Sequence, residues 1–410
     1  AATHGSPLGK EEIAGAREKL GWPYPPFEIP APILDAWRKI GTRGRPEFDA
    51  WTRRHAGAGQ KAEFDPVQSG TLPEGFNDAV QKIKNAFAAE APKLATRQAS
   101  QKVIEGLTPV MPELVGGSAD LSGSNLTKGK AAVPITSPGY KGDYIYYGVR
   151  EHGMAAAMNG MALHGGIIPF GGTFLCFTDY ARPAIRLSAL MGQRIVYVMT
   201  HDSIGQGEDG PTHQPVEHMA ALRAVPNLQV FRPCDAMETA ECWALALQTK
   251  DKPSILALTR QAVPPLRADA AVANHCARGG YIIRPAQGSG PGGDRRGTIL
   301  ATGSEVSLAV DAQALLAQDG IHVAVASLPC WTLFDQQSEA YRKEVLGDGV
   351  RVAVEAMVPF GWERYLGPIG PKGGGFVGMH SFGASAPGPD VYKHFNITPA
   401  AVAEAVKARL

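Results

Sequence analysis

The chain has 410 residues, with 40 basic and 39 acidic side chains and a formal charge of +1. That balance excludes a global electrostatic drive toward nucleic acid or an anionic membrane surface, while the length predicts two or three domains. No apolar run reaches the roughly 18 residues of a membrane helix, no signal-peptide pattern opens the chain, and five scattered cysteines without a CxxC pair read as reduced thiols of a cytoplasmic protein. The first residues, Ala1-Ala2-Thr3, lack a Met, as expected of a processed or truncated piece of something longer.

Residues 1–92 are polar and irregular (GWPYPPFEIPAP), with helical stretches at 34–40 and 76–89 and no strand-helix alternation. They read as a helical connector. From 93 to 265 the pattern alternates. A helix at 93–107 precedes a short segment at 114–117 and an apolar run at 144–147. Helices at 150–163, 180–191, 216–223 and 236–250 then alternate with strands at 167–170, 195–200, 229–232 and 254–259. Short apolar runs between helix-length segments predict an α/β fold with a mostly parallel sheet covered on both faces. A linker at 263–277 leads to residues 278–410, where strands at 298–301, 322–327 and 351–355 alternate with helices at 306–319 and 336–346. A last helix at 400–410 takes Thr398 as its cap and Pro399 in its first turn. The Gly/Pro-rich piece 287–297 reads as a surface hairpin.

Chemistry concentrates at strand ends. HDSIGQGEDGPTHQP (201–215) follows the apolar run at 194–199 and sets His201, Asp209 and His213 among glycines. Such a loop at the carboxyl edge of a sheet is where α/β enzymes place reactive groups. Glu151 opens a helix. It either complements the helix dipole or is a shielded acid able to exchange a proton with a bound heterocycle. Phe174, Phe177 and Tyr180, spaced by three, put three rings on one side of a helical turn. They form a core stripe or, because Gly171-Gly172 lets a loop approach closely, a stacking surface for a flat ligand. Arg97 and Arg260 are surface charges or, with His201 and Ser124, a phosphate clamp. Asp120 reads as a turn or cap residue, and His152 and His164 as structural. Gly347-Asp348-Gly349 reads as a turn rather than a metal motif, since no Asn pair follows it. No GxGxxG joins a first strand to a helix, which argues against nicotinamide binding.

These segments resemble the transketolase family: THGSPLG, GGSADLSGSN, YGVREHGM, TFLCFTDYARPAIR, HDSIGQGEDGPTHQPVE, FRPCDAMET and LTRQ occur in its order across essentially the whole chain. The part resembled is the rear portion, namely the end of the diphosphate-binding domain (1–92), the pyrimidine-binding domain (93–265) and the C-terminal domain (278–410). The resemblance implies two doubly wound, mostly parallel-sheet domains and a two-carbon ketol transfer from a ketose phosphate to an aldose phosphate through thiamine diphosphate. It makes Glu151 the acid facing the cofactor's aminopyrimidine, with Phe174, Phe177 and Tyr180 stacking on it and Asp120 nearby. His201 and His213 face the substrate, His213 with a catalytic role, and Asp209 bonds a substrate hydroxyl. Arg97, Ser124, His201 and Arg260 hold the sugar phosphate, and His4 lines the channel. A Mg2+ or Ca2+ ion would take its ligands from the front domain, so no metal ligand is assigned here. The resemblance also implies a homodimer with its site between subunits, and it leads us to expect this chain alone to be inactive. Deoxyxylulose-phosphate synthase, the decarboxylase subunit of pyruvate dehydrogenase and a non-catalytic scaffold are the alternatives.

Overall fold

The computed structural model describes residues 3–270, 273–286, 295–371 and 373–410. Most of the expected hairpin at 287–297 therefore lies outside the described residues. The chain forms two compact units, Ala1–Asp65 and Pro66–Leu410. The first is helical, with helices Lys10–Lys19, Ala31–Gly41 and Arg45–Ala56, none of which contains a fully buried residue. Trp51 stacks on His55 at 4.9 Å, and the His55 ring nitrogen lies 2.6 Å from Asp65.

The second unit holds eight strands up to residue 263: β1 (Leu94–Ala95), β2 (Leu114–Ser118), β3 (Tyr144–Tyr146), β4 (Ile168–Phe174), β5 (Val196–Thr200), β6 (Gln229–Phe231), β7 (Ser254–Leu258) and β8 (Ala262–Val263). Six of them make one parallel sheet in the order β3-β2-β4-β5-β7-β6. Every residue of β2, β4, β5 and β7 is buried, as expected where helices cover both faces. The covering helices are Thr96–Leu107, Glu151–His164, Thr178–Leu190 and Ala236–Gln248. Helix Phe76–Glu90 joins them, burying Phe76, Ile83 and Phe87 in the same core as Phe170 and Trp243.

Three further strands, β10 (Gly297–Ala301), β11 (Val323–Ser327) and β12 (Val350–Glu355), carry the second sheet. Its order is completed by β9 (Tyr281–Arg284) and β13 (Gly375–Gly378) as β13-β12-β10-β11-β9, with only β9 antiparallel. Thr398 caps the final helix Pro399–Lys407 by accepting from the Ala401 amide. Gly347 turns at φ +71° between helix Glu339–Leu346 and β12, in keeping with a turn at Gly347–Gly349. Among the described residues, no helix is long and apolar enough to cross a membrane, and all five cysteines are buried and unpaired.

The structure corrects several expectations. Residues Leu94–Ala95 form β1 rather than opening a helix, because they pair antiparallel with Val263 and Ala262 of β8. The linker expected from 263 onward thus begins inside a strand. Strands β9 and β13 and the break between helices Trp331–Asp335 and Glu339–Leu346 were not legible from periodicity. Gly171-Gly172 lies inside β4, not in a loop. A Cβ at Gly171 would meet the sulfurs of Met154 and Met158, and one at Gly172 the methyl of Thr127, so these glycines admit packing partners rather than a ligand.

A buried ionic hub joins the two sheets. Arg232, with no exposure, bonds Asp202 at 2.9 Å, pairs with Glu305, and donates to the Thr302 carbonyl at 3.0 Å. Arg223 grips Glu355 at 2.9 and 2.7 Å, and Trp362 donates to the same carboxylate at 2.9 Å. Burial would raise the Glu355 pKa, but Arg223 and Arg232 outweigh it and bring it from 4.5 to about 2. That depressed value stabilises the fold above the unfolded pKa, a contribution lost as pH falls from about 4.5 toward 2. Replacing Arg232 by Leu strands Asp202 and Glu305 and should cost about 3–5 kcal/mol in urea unfolding; an unchanged midpoint would refute the hub.

Candidate active site

In a parallel sheet all carboxyl ends lie at one edge, and here that edge gathers the expected residues. Asp120 and Ser124 follow β2, Glu151 follows β3, Phe174 ends β4, His201 follows β5 and Arg260 follows β7. From β2 the chain passes to β3 on one side, whereas from β4 it passes to β5 on the other. Ligands of open α/β sheets bind at such a reversal.

Five rings meet there. Phe174 stacks on Phe177 with centroids 5.6 Å apart and planes 10° from parallel, and on His201 at 3.7 Å. His213 meets the edges of Phe177 at 5.5 Å and Phe174 at 6.3 Å, and Tyr180 tilts against Phe177 at 6.0 Å. The trio does not sit on one helical turn as its spacing suggested. Phe174 closes a strand, Phe177 ends a 3-10 turn and Tyr180 lies in helix Thr178–Leu190. The chain's change of direction, not helical periodicity, lines them up. Tyr180 is 63% exposed, so one face of the stack is open to a flat partner. Beside it a cavity of about 340 Å³ is lined by Cys176, Phe177, Tyr180, Thr212 and His218 among others.

Glu151 is the first residue of helix Glu151–His164 and is half-buried. Its charge reaches the ring-bearing turn. Burial first, then Asp179 and Glu151, push the Cys176 thiol up to about 12. Glu151 therefore lies within electrostatic reach of Cys176, in the turn that carries Phe174 and Phe177.

Arg97 and Arg260 form the electrostatic feature. Among the described residues neither has an ion-pair partner, and the pKa of Arg97 is lowered by burial and then by Arg260. Arg97 donates to the Ser124 carbonyl at 2.5 Å, so Ser124 orients the guanidinium through its backbone. His201, 4% exposed and at φ +60°, bonds Thr200 at 2.9 Å. Its pKa falls to about 3 through burial, then Arg97, Arg260 and His213. Two guanidiniums without carboxylates beside a neutral imidazole are suited to a phosphate.

Sequence reasoning missed what sets the two arginines in place. The Thr96 amide donates to the Thr259 hydroxyl at 2.9 Å, and the Thr259 amide donates to the Thr96 hydroxyl at 2.7 Å. Each threonine immediately precedes one of the arginines, and the repeated Thr-Arg pair was the available signal. Within the loop, Gln206 donates to the His213 carbonyl at 2.5 Å, and the Thr212 hydroxyl lies 2.8 Å from the His213 ring nitrogen. Asp209 is exposed at the loop tip, Asp120 is exposed at φ +62°, and His4 is exposed in the first unit. His152 and His164 are exposed as well, on helix Glu151–His164. Asp179, Glu217 and His218 form a cluster of potential metal ligands. His218 lies 3.2 Å and Arg182 2.6 Å from Asp179, while the other His218 ring nitrogen is buried 3.7 Å from Glu217 without a hydrogen bond; we assign no metal to them.

The chain is similar to known proteins along its whole length. Residues 92–265 match the transketolase pyrimidine binding domain, 279–398 the transketolase-like C-terminal domain, and 1–73 the transketolase thiamine diphosphate binding domain. The chain is 54% identical over 397 residues to the transketolase of Sinorhizobium medicae, covering 97% of this chain and 56% of that protein. It is 51% identical over 407 residues to that of Cereibacter sphaeroides, covering 99% and 60%. The transketolase structure from Leishmania mexicana superposes with a TM-score of 0.85 at 42% identity, over 98% of this chain and 58% of that one. The chain belongs to the transketolase family, and it spans somewhat over half the length of these relatives.

The electrostatics can be checked directly. With its pKa depressed from 6.5 to about 3, His201 should remain neutral in an NMR titration from pH 8 down to about 5, and saturating inorganic phosphate should raise its pKa by offsetting the arginines. Titration near 6.5 without phosphate would contradict the assigned cluster.

Proposed function

We propose that this chain supplies the pyrimidine-facing half of a thiamine diphosphate site, and that the whole protein moves a two-carbon ketol unit from a ketose phosphate to an aldose phosphate. The observation that carries this reading is the gathering at one sheet edge of an aromatic stack, the carboxylate of Glu151 after β3 and two arginines without ion-pair partners among the described residues. Thiamine diphosphate, when bound, supplies the electron sink for cleaving a bond next to a carbonyl. Phe174, Phe177 and Tyr180 would hold the cofactor's pyrimidine, with Asp120 beside them, and Glu151 would hold and exchange a proton there. Arg97, Arg260, Ser124 and neutral His201 hold the terminal phosphate. His213 and Asp209 meet the sugar's hydroxyls and carbonyl, His213 as the residue that moves a proton there, and His4 lines the channel. A phosphate-ready pair of arginines favours a sugar phosphate over the unphosphorylated keto acid of the pyruvate dehydrogenase decarboxylase subunit.

We further propose a cytoplasmic homodimer, with the site completed between subunits and Mg2+ or Ca2+ held by residues outside this chain. The domain limits 1–92, 93–265 and 278–410 belong to the same proposal. By itself the chain should bind cofactor poorly and show no turnover; calorimetry giving micromolar affinity in the presence of magnesium would refute that. In the full-length protein, Glu151→Gln should cut turnover by about 100-fold or more while leaving cofactor affinity nearly intact. Arg260→Ala should raise KM for phosphorylated donors well above its effect on an unphosphorylated ketose. Near-normal turnover in the first variant, or equal effects in the second, would overturn the assigned roles.

A further inference from the structure

The loop 201–215 starts in the six-stranded sheet, but its outer half is held by the segment 383–388 of the C-terminal domain. Gln214 is buried and donates through one amide nitrogen to two carbonyls, that of Gly207 at 2.8 Å and that of Ala384 at 3.0 Å. It thereby closes the loop on itself and ties it to the other domain. Beside it, the Ser385 hydroxyl donates to the carbonyl of Glu208, the residue before Asp209, at 2.6 Å. The two backbones meet where side chains are missing. A Cβ on Gly383 would collide with the Gln214 amide oxygen, one on Gly388 would come within 2.9 Å of the Gly205 carbonyl, and Gly207 turns at φ +86° against Gly388. Five of the seven residues from 207 to 213 are exposed or half-exposed, so burial alone does not order this stretch.

We propose that Gln214 is a positioning residue, and that the C-terminal domain contributes to the active site by clamping the loop that presents Asp209 and His213. The inference rests on the reading of those two residues as substrate-facing groups. A loop of this length freed at its outer end samples many arrangements. Placing two polar groups against one sugar then carries an entropy cost that the clamp removes beforehand. Gln214 also lines the cavity beside the ring stack, but in this scheme it acts through the backbone at Gly207 rather than on the reacting atoms.

The test is Gln214→Glu in the full-length enzyme, a change that preserves shape but sets an oxygen against two carbonyl oxygens. We expect kcat/KM to fall about ten- to a hundredfold, equally for a phosphorylated and an unphosphorylated ketose because the arginine clamp is untouched, with thiamine diphosphate affinity unchanged. Amide hydrogen exchange should quicken at 207–213 while β5 and β7 keep their protection. Ser385→Ala should shift both readouts in the same direction by less. Wild-type kcat/KM in the Gln214 variant, wild-type exchange in the loop, or equal loosening of β5 and β7 would each overturn the proposal, the last by showing a general packing role. If the wild-type enzyme cleaves no ketose at all, the transfer reading fails on its own, and the exchange rates still decide whether the clamp exists.

Discussion

A buried guanidinium is tolerated only where carboxylates surround it, and Arg232 meets that condition with groups from both sheets. Asp202 belongs to the loop that follows β5, Glu305 starts the helix after β10, and Glu355 ends β12. The geometry of one side chain therefore couples the orientation of the second sheet to the base of the loop carrying His201. The hub also explains why the C-terminal half, which holds none of the expected reactive residues, is packed so intimately against the half that does. Tyr392 extends the same network, bonding Glu305 at 2.5 Å and lying 3.4 Å from Ser203 in that loop.

The arginines of this protein divide into two kinds. Arg223, Arg232 and Arg267 are paired with carboxylates at short distances and serve as permanent fasteners. Arg97 and Arg260 lie within electrostatic reach of one another and of a histidine whose pKa burial and their charge both lower. Like charges brought together without compensation lower stability, and structures retain them where an anion repays the cost on binding. The contrast between the two kinds, rather than the count of basic residues in a nearly neutral chain, is what the proposed anion site rests on.

Much of this was legible in the sequence because parallel sheets leave unmistakable traces. The continuous apolar runs that became β5 and β7 announced buried strands, and the polar residues just beyond them announced the edge where His201 and Arg260 lie. What was not legible depended on partners far away in the chain. The two-residue strands β1 and β8 have no periodicity of their own and exist only through each other. The glycine pair in β4 answers to methionines of one helix and to Thr127, so its local pattern suggested a loop. The ring trio was found, but its placement on one helical face was not, because the backbone passes from strand to 3-10 turn to helix between the first ring and the last. Gln214 sits within the most informative motif of the chain, yet its partner Ala384 lies 170 residues on.

The reciprocal threonine bonds join positions 163 residues apart, at the opening and closing segments of the six-stranded domain. Its two cationic jaws are thus mounted on the first and last pieces of chain to be laid down. A ribosome that has released only the front of this domain has made Arg97 but nothing for it to face. On the proposed reading, affinity for an anion is in this way withheld until the domain has been synthesised through to its end and its extremities have met, so that such binding would report a finished fold.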